Sequence, residues 1–438
     1  MLDLLESLVR KSLINVDRSS GRIRYGMLEN IRQFADAQLT ATGTDEETRK
    51  LHATHFAKQV TAHYEAWDGP GFDTAVGWAE SNMANLRTAF RWALENGEIV
   101  LGTAIAAHTA LLMIGAQQIE PIGWAEEALP AAVAADVPQL PRLLTAATLC
   151  AFVGRAQDAL DYSARAMELE VNPRYDPYQF GMASIGHSNA HLFIGNLERS
   201  LEICADLAEK TGLARRVGLA GLLNQLPALG RAEQARALAD EAVQAVREQD
   251  TPYWLAYALL GYARAFAETD PPRAMRVLQE GVTYTQEHHL PFWEAIIMRE
   301  AATMEAVHGD RDRALALFDR AVASQHRHGN VAHVAATLAS VAVCFDRLDQ
   351  PDTAATIYGS STRYGSSNRA KGLRQACQHL TDTLGQANFE DHVAQGAAMG
   401  LAEAVHYARH HIQLARHQSP PSGAHTVPRA GSGIQPAE

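Results

Sequence analysis

The sequence predicts an all-α protein: an α-solenoid of helical hairpins, preceded by a small N-terminal unit that holds one β-hairpin. Three observations predict it. The 438-residue chain is 47% hydrophobic but only 7% aromatic. Alanine and leucine dominate, and both lose little on entering a helix. Turn residues followed by a small residue recur at Gly154/Ala159, Gly195/Ser200, Gly230/Ala235, Asp270/Ala274, Gly309/Ala314 and Asp349/Ala354, the small residues lying 41, 35, 39, 40 and 40 positions apart. Periods near forty with two helices each are the signature of stacked helical repeats. A second small residue comes seven positions later in most units, at Ala166, Ala242, Gly281, Ala321 and Ser361, with Leu207 the departure. Small residues two turns apart let neighbouring helices approach closely.

The elements follow in order. Leu5, Leu8, Val9 and Leu13 fall on one helical face. Ile14–Val16 and Ile23–Tyr25 then make two short strands around the turn Arg18-Ser19-Ser20-Gly21. A second helix carries Ile31, Phe34, Ala35 and Leu39 on its apolar face, with Gly43 as its stop. So small a unit needs another surface to cover it, and residues 1–48 alone are expected not to fold stably. Helical periodicity runs from about residue 49 to 380, and further helices lie around Leu384–Phe389 and Leu401–Ile412. From His417 the chain turns to Pro, Gly and Ser, a composition that cannot order itself, so 417–438 reads as a disordered tail.

Charge and cysteine usage narrow the function. A formal net charge of −12 repels a phosphate backbone. Residues 1–50 carry eight basic and eight acidic side chains, so direct nucleic-acid binding is disfavoured there too. Only five positions are lysine, the other basic residues being arginine, which fits a GC-rich coding bias rather than a binding patch. Cys150, Cys204, Cys344 and Cys377 stand singly with no Cys-x-x-Cys pair, and read as reduced thiols of a cytoplasmic protein. MLDLLESLVRKSL carries acids and lacks a long apolar core, so it is no secretory signal. The most apolar stretch, Ile99–Gly115, contains His108 and is short for a membrane span, so no membrane association is expected.

Ala314, Phe318 and Ala321 occupy the small–aromatic–small positions of a TPR second helix, so the repeats are TPR-like, though longer than the standard unit. Residues 4–39 resemble the end of the winged-helix domain of STAND-class regulators, bacterial signal-transducing ATPases often of LuxR type or linked to adenylate cyclase. Lys11-Ser12-Leu13, Tyr25, Leu28-Glu29, Ile31-Arg32 and Phe34-Ala35 carry that likeness. Trp78, Glu80, Asn85-Leu86-Arg87 and Trp92-Ala93-Leu94 resemble the family's junction before its repeats. Leu384-Gly385, Phe389, Gly396 and the Leu401–Tyr407 helix resemble the segment that closes them. The resemblance implies a truncated winged-helix remnant over 1–48, a helical junction over 49–140, TPR-like repeats over 141–380 and closing helices over 381–416. It further implies a cytoplasmic switch whose P-loop ATPase, separate or upstream, is held off or assembled through the repeats. No P-loop precedes the winged helix and no helix-turn-helix follows residue 415, so the expectation is a fragment, a split gene or a mis-called start.

Catalytic signatures are sparse. A Walker A loop ends Gly-Lys-Ser/Thr, whereas Lys11-Ser12 and Lys210-Thr211 follow Arg10 and Glu209. His187 and His191 are spaced as on one helical face, but Ser188 stands where a zincin has its glutamate base. His52 and His55 lack an obvious third ligand, and the adjacent pairs His288-His289 and His410-His411 read as solvated. Neither a nucleophile elbow nor a Cys–His pair is present, so neither enzyme, cofactor nor metal is expected.

Trp67, Trp78 and Trp92 cluster before the repeats, and Trp254 and Trp293 open repeat first helices thirty-nine residues apart. Core and inter-repeat packing is the plain reading of all of them. The sharper one is that Tyr253, Trp254, Phe292 and Trp293 form an aromatic ledge on an inner groove that takes a protein partner. The function that follows is a non-catalytic protein-interaction or sensor arm of an ATPase-type transcriptional regulator. Two alternatives stand beside it: a free-standing TPR adaptor, and, more remotely, a metal-dependent enzyme using His187 and His191.

Overall fold

The computed structural model describes residues 2–18, 23–178, 181–248, 251–364 and 372–417. Among them the chain forms twenty-one α-helices and one two-stranded sheet, the all-α repeat architecture that the forty-residue period predicts.

In the N-terminal unit α1 (Leu2–Arg10) leads to β1 (Asn15–Asp17) and β2 (Arg24–Gly26), then to α2 (Glu29–Ala41). The strands pair Asn15 with Gly26, Val16 with Tyr25 and Asp17 with Arg24, one residue later than the apolar alternation suggests. Ser19, Ser20 and Gly21 of the expected turn lie outside the described residues. The predicted apolar faces are only partly covered. Leu5, Leu8 and Val9 are half-buried, Leu13 falls beyond the end of α1, and Phe34 of α2 remains 64% exposed. Ile31, Ala35 and Leu39 on the same face are half-buried.

The solenoid itself starts with α3 (Asp45–Glu65) against α4 (Phe72–Glu95) and α5 (Ile99–Met113) against α6 (Glu120–Ala134). Six further hairpins follow. They pair α7 (Leu140–Ala147) with α8 (Ala156–Glu170), α9 (Met182–Ile194) with α10 (Leu197–Ala208), and α11 (Gly212–Gln225) with α12 (Ala232–Arg247). Then come α13 (Pro252–Phe266) with α14 (Pro271–Glu287), α15 (Pro291–His308) with α16 (Arg311–Arg327), and α17 (Val331–Arg347) with α18 (Pro351–Thr362). Helices α19 (Leu373–Leu384), α20 (Gln386–Ala398) and α21 (Leu401–His417) pack on the last hairpins. Residues 418–438, the expected tail, lie outside the described residues.

The recurring small residues do what their spacing implies. Ala159, Ser200, Ala235, Ala274, Ala314 and Ala354 each open a second helix and are fully buried. Where Leu207 breaks the pattern, the close approach has moved to the partner helix: a Cβ on Gly218 of α11 would stand 2.3 Å from the Ala208 amide nitrogen. Starts are fixed by residues that satisfy or dispense with the first amides. Asn196, Asp270, Asp310 and Asn330 cap α10, α14, α16 and α17 through side-chain oxygens. Proline opens α13, α14, α15 and α18, where no intrahelical N–H is needed. The tightest crossing joins α18 and α20, where a Cβ on Gly396 would sit 1.9 Å from the Thr356 carbonyl oxygen.

The superhelix winds back on itself. Asp68, after α3, pairs with Arg216 of α11 at 2.8 Å and accepts a hydrogen bond from Thr251. Gln117, after α5, donates to the Pro291 carbonyl at 3.1 Å, and the Phe292 amide donates to Gly115. His288 was expected to be solvated. It is half-buried instead and sits 2.9 Å from Asp73, because this winding brings the start of α4 against the end of α14. One apolar cluster runs from Ala53 to Ala321 and a second from Ala302 to Ala415. Arginines pair with glutamates of neighbouring helices on the outer surface, as in Arg231–Glu198 at 3.0 Å and Arg247–Glu280 at 2.5 Å. Among the described residues no helix is long and apolar enough to cross a membrane.

Candidate ligand cavity of the solenoid

First helices of successive hairpins face inward, and their inner faces enclose a cavity of about 890 Å³. Helices α9, α11, α13, α15 and α17 line it, joined by Phe152, by residues of α10 and the α11–α12 connection, and by the start of α19. Its size falls within the roughly 300–1,000 Å³ typical of small-ligand pockets.

The wall has two ends of different chemistry. At the aromatic end stand the four ledge residues, Tyr253, Trp254, Phe292 and Trp293, all of which line the cavity. The repeat register brings them together: Tyr253 stacks on Phe292 with ring centres 6.2 Å apart and meets Trp293 edge-on at 5.3 Å. They form a packed wall rather than a projecting ledge, with no side chain more than 7% exposed. The winding is the cause, because Trp67 from the α3–α4 connection packs on Tyr253 at 5.7 Å and on Trp254 at 6.1 Å. Tyr257, one turn further along α13, stacks on Trp293 at 5.0 Å. The indole nitrogens of Trp254 and Trp293 and the Gln225 Oε1 are buried without a hydrogen-bond partner among the described residues.

The charged end lies toward the C-termini of the same two helices. Arg264 of α13 donates to Glu300 Oε2 of α15 at 2.8 Å through Nη2 and at 3.1 Å through Nε. Its third donor reaches Asn224 Oδ1 at 3.2 Å, while Asn224 Nδ2 donates to the Tyr257 and Ala220 carbonyls. Gly261 leaves room for this amide, since a Cβ there would stand 2.7 Å from Asn224 Nδ2. Arg299, beside Glu300, also lines the cavity, yet among the described residues nothing hydrogen-bonds or ion-pairs with its guanidinium within reach. Burial pushes Arg299 down to about 10, with Glu300 opposing the shift and Arg264 adding to it. Part of Arg299 stays solvent-accessible, and that exposure is to the cavity.

Sequence reasoning found the aromatic end and missed Asn224, Arg264, Arg299 and Glu300. A signal was present: Trp293, Ile296, Arg299, Glu300 and Thr303 recur at helical spacing along an otherwise apolar face. Cys204 lines the cavity as well, its thiol held by Ser188 and Gln225 and pushed up to about 11 by burial. Elsewhere His187 and His191 meet edge-to-face with ring centres 4.7 Å apart, and His187 Nδ1 lies 2.8 Å from Ser163 Oγ. No third ligand joins them: among the described residues no group of three or more His, Cys, Asp or Glu is placed to hold a metal. Cys150, Cys204 and Cys344 are buried, and all four cysteines are free of disulfides.

Comparisons with known proteins agree with this architecture. No family model matches the chain. Proteins that carry the name HTH-type transcriptional regulator in Mycobacterium bovis and Mycobacterium tuberculosis are 32% identical over 127 residues. That stretch takes in 28% of this chain but 14% of the relative, so the chain spans a small part of the relative's length. Among solved structures, a Rap protein complexed with Competence and Sporulation Factor covers 85% of this chain and 99% of its own, at 13% identity and a TM-score of 0.50. BtubC from P. vanneervenii covers 56% of this chain at 17% identity and a TM-score of 0.33. The likeness to the Rap protein establishes a shared helical-repeat fold.

Proposed function

We propose that this chain is the non-catalytic sensor and partner-binding arm of an ATPase-type transcriptional regulator, with residues 1–48 as the remnant of its winged helix. The observation that carries the reading is the uncovered apolar surface of that N-terminal unit. Leu4, Ile23, Met27, Leu28 and Phe34 are 63%, 60%, 49%, 53% and 64% exposed, in a unit of some forty residues that meets the solenoid through α2 against α3 and through Arg24, which donates to the Ser81 carbonyl of α4. Large apolar side chains exposed in such number on so small a unit support a surface that another protein covers. The resemblance of residues 4–39 to the end of a winged helix supports a P-loop ATPase domain as that protein. The likeness of a 127-residue stretch to HTH-type regulators supports the regulatory context. The Rap protein's bound factor supports a sensing role for such a solenoid.

Affinity capture from the source cell tests it, with wild-type chain and a Leu28→Asp/Phe34→Asp variant as paired baits. The expected result is a P-loop ATPase held by the wild type and lost by the variant, with both melting alike. Capture of the same proteins by both baits, or of no ATPase by either, would leave a free-standing adaptor as the better reading.

A further inference from the structure

We propose that the solenoid cavity is an effector site for an organic carboxylate with an apolar or aromatic body, the carboxylate seated on Arg299 and the body against Trp254, Tyr257 and Trp293. The inference deepens the sensor reading above and rests on it for its regulatory meaning, though not for the binding itself.

Three arginines, Arg264, Arg299 and Arg374, line the cavity against two carboxylates, Glu268 and Glu300, a balance that favours an anion. Glu300 accepts from Arg264 Nε and Nη2, and Arg264 Nη1 donates to Asn224. Arg299 stands in the cavity wall drawn by Glu300 and repelled by Arg264, its guanidinium with no hydrogen-bond or ion-pair partner among the described residues. An unpaired buried charge is costly, and the usual remedy is a counter-ion brought to it. A guanidinium offers a planar fork of N–H donors that a carboxylate meets with two parallel hydrogen bonds. Buried Trp254 and Trp293 each retain an unused indole N–H, and Gln225 an unused acceptor, in the same wall.

The distance between the two ends sets the shape of the ligand. Trp293 and Arg299 are six residues apart on α15, which is about 9 Å along a helix that rises 1.5 Å per residue. Flat rings stacked as Tyr257 and Trp293 are, 5.0 Å apart, present an apolar surface for the body. A free aromatic acid and the C-terminal residue of a short peptide share this chemistry, and both fit about 890 Å³.

Fluorescence titration of the full chain separates these cases. The probes are dansyl-phenylalanine and its amide, and dansyl-Gly-Gly-Gly-Phe with a free or an amidated C-terminus. At least one free acid is expected to bind about tenfold or more tightly than its amide, as befits a hydrogen bond between charged groups. Arg299→Gln should erase that preference, Arg299→Lys should retain part of it, and Glu300→Gln, by releasing Arg264, should strengthen acid binding. Preference for dansyl-phenylalanine points to a free acid, and preference for the longer probe to a peptide terminus. Equal binding of acid and amide, no binding of either, or an Arg299→Gln chain that melts normally and still prefers the acid overturns the proposal. ATPase capture by the Arg299→Gln bait keeps the two readings apart. If acid preference fails while capture persists, only the cavity site falls; if capture fails while acid preference holds, only the regulator-arm reading falls.

Discussion

Phe34 and Phe318 each sit on the apolar face of an amphipathic helix, yet Phe34 is 64% exposed and Phe318 only 1%. Their helices differ in company rather than in pattern. Phe318 of α16 is covered by α15, α17 and α21, inside the cluster that also holds Leu315, Val322 and Phe345. Phe34 of α2 is mostly open to water, although α2 itself meets α3. An apolar stripe specifies which side of a helix will be buried, but the burial itself needs a second surface. In the solenoid the next repeat supplies that surface, whereas the N-terminal unit has no such neighbour among the described residues.

The largest effect that could break this comparison is at Phe318. Phe318→Ala is expected to destabilise the chain by about 4 kcal/mol, the range for emptying a fully buried phenylalanine site. Urea unfolding followed by far-UV circular dichroism measures it. A loss under about 1 kcal/mol would mean that α16 and its neighbours close the gap at little cost, and that the second core is far looser than its burial indicates.

A smaller effect distinguishes the interiors of the two regions. His108, 1% exposed on α5, lies 3.0 Å from Arg142 Nη1 at its Nε2 and 3.1 Å from Thr61 Oγ1 at its Nδ1. A guanidinium only donates, so Nε2 accepts and the proton sits on Nδ1. Burial first and the Arg142 charge second lower His108 from 6.5 to about 3, and the facing rings of Tyr64 and Tyr178 offer no negative charge. The sign follows from the depressed folded value. Above pH 6.5 the ring is neutral in both states; below it the unfolded chain takes up a proton that the folded chain refuses. Stability is therefore lost as pH falls from 6.5 toward 3, at about 1.4 kcal/mol per pH unit from this group. Between pH 6.5 and 5 that amounts to about 2 kcal/mol. A His108→Gln chain should show a shallower decline than wild type across that interval, and parallel curves would refute the assignment.

Much of the solenoid was legible because its determinants are local. The small residues Ala159 through Ala354, the capping Asp270 and Asp310 and the prolines opening α13 and α15 act within one turn or one hairpin. The aromatic end of the cavity was legible for the same reason, since Trp254 and Trp293 hold equivalent places in successive repeats. What local pattern could not supply was the winding. Gln117 meets Pro291 across 174 residues and Asp73 meets His288 across 215, and no periodicity encodes such pairs. The expected ledge therefore became a wall beneath Trp67, and the solvated His288 became a half-buried partner of Asp73. Arg299 stayed hidden because its meaning depends on Arg264 having already been claimed by Glu300 and Asn224.

The smallest effect is the sharpest test of the opening contrast. Phe34→Ala removes the same side chain as Phe318→Ala, from a helix of similar amphipathic design, but from a site where most of the ring already meets water. Little apolar area is re-exposed, and alanine favours the helix slightly more than phenylalanine does. The expected change in stability of the isolated chain is within about 0.5 kcal/mol, the range for substitutions on an open surface. Urea unfolding of the two alanine variants side by side, under one set of conditions, reads the contrast directly. A loss above about 1.5 kcal/mol at Phe34 would mean that something covers α2 in solution. Repeating the measurement at a tenfold lower protein concentration would then tell a second copy from the chain itself, because only a cover supplied by another molecule weakens on dilution.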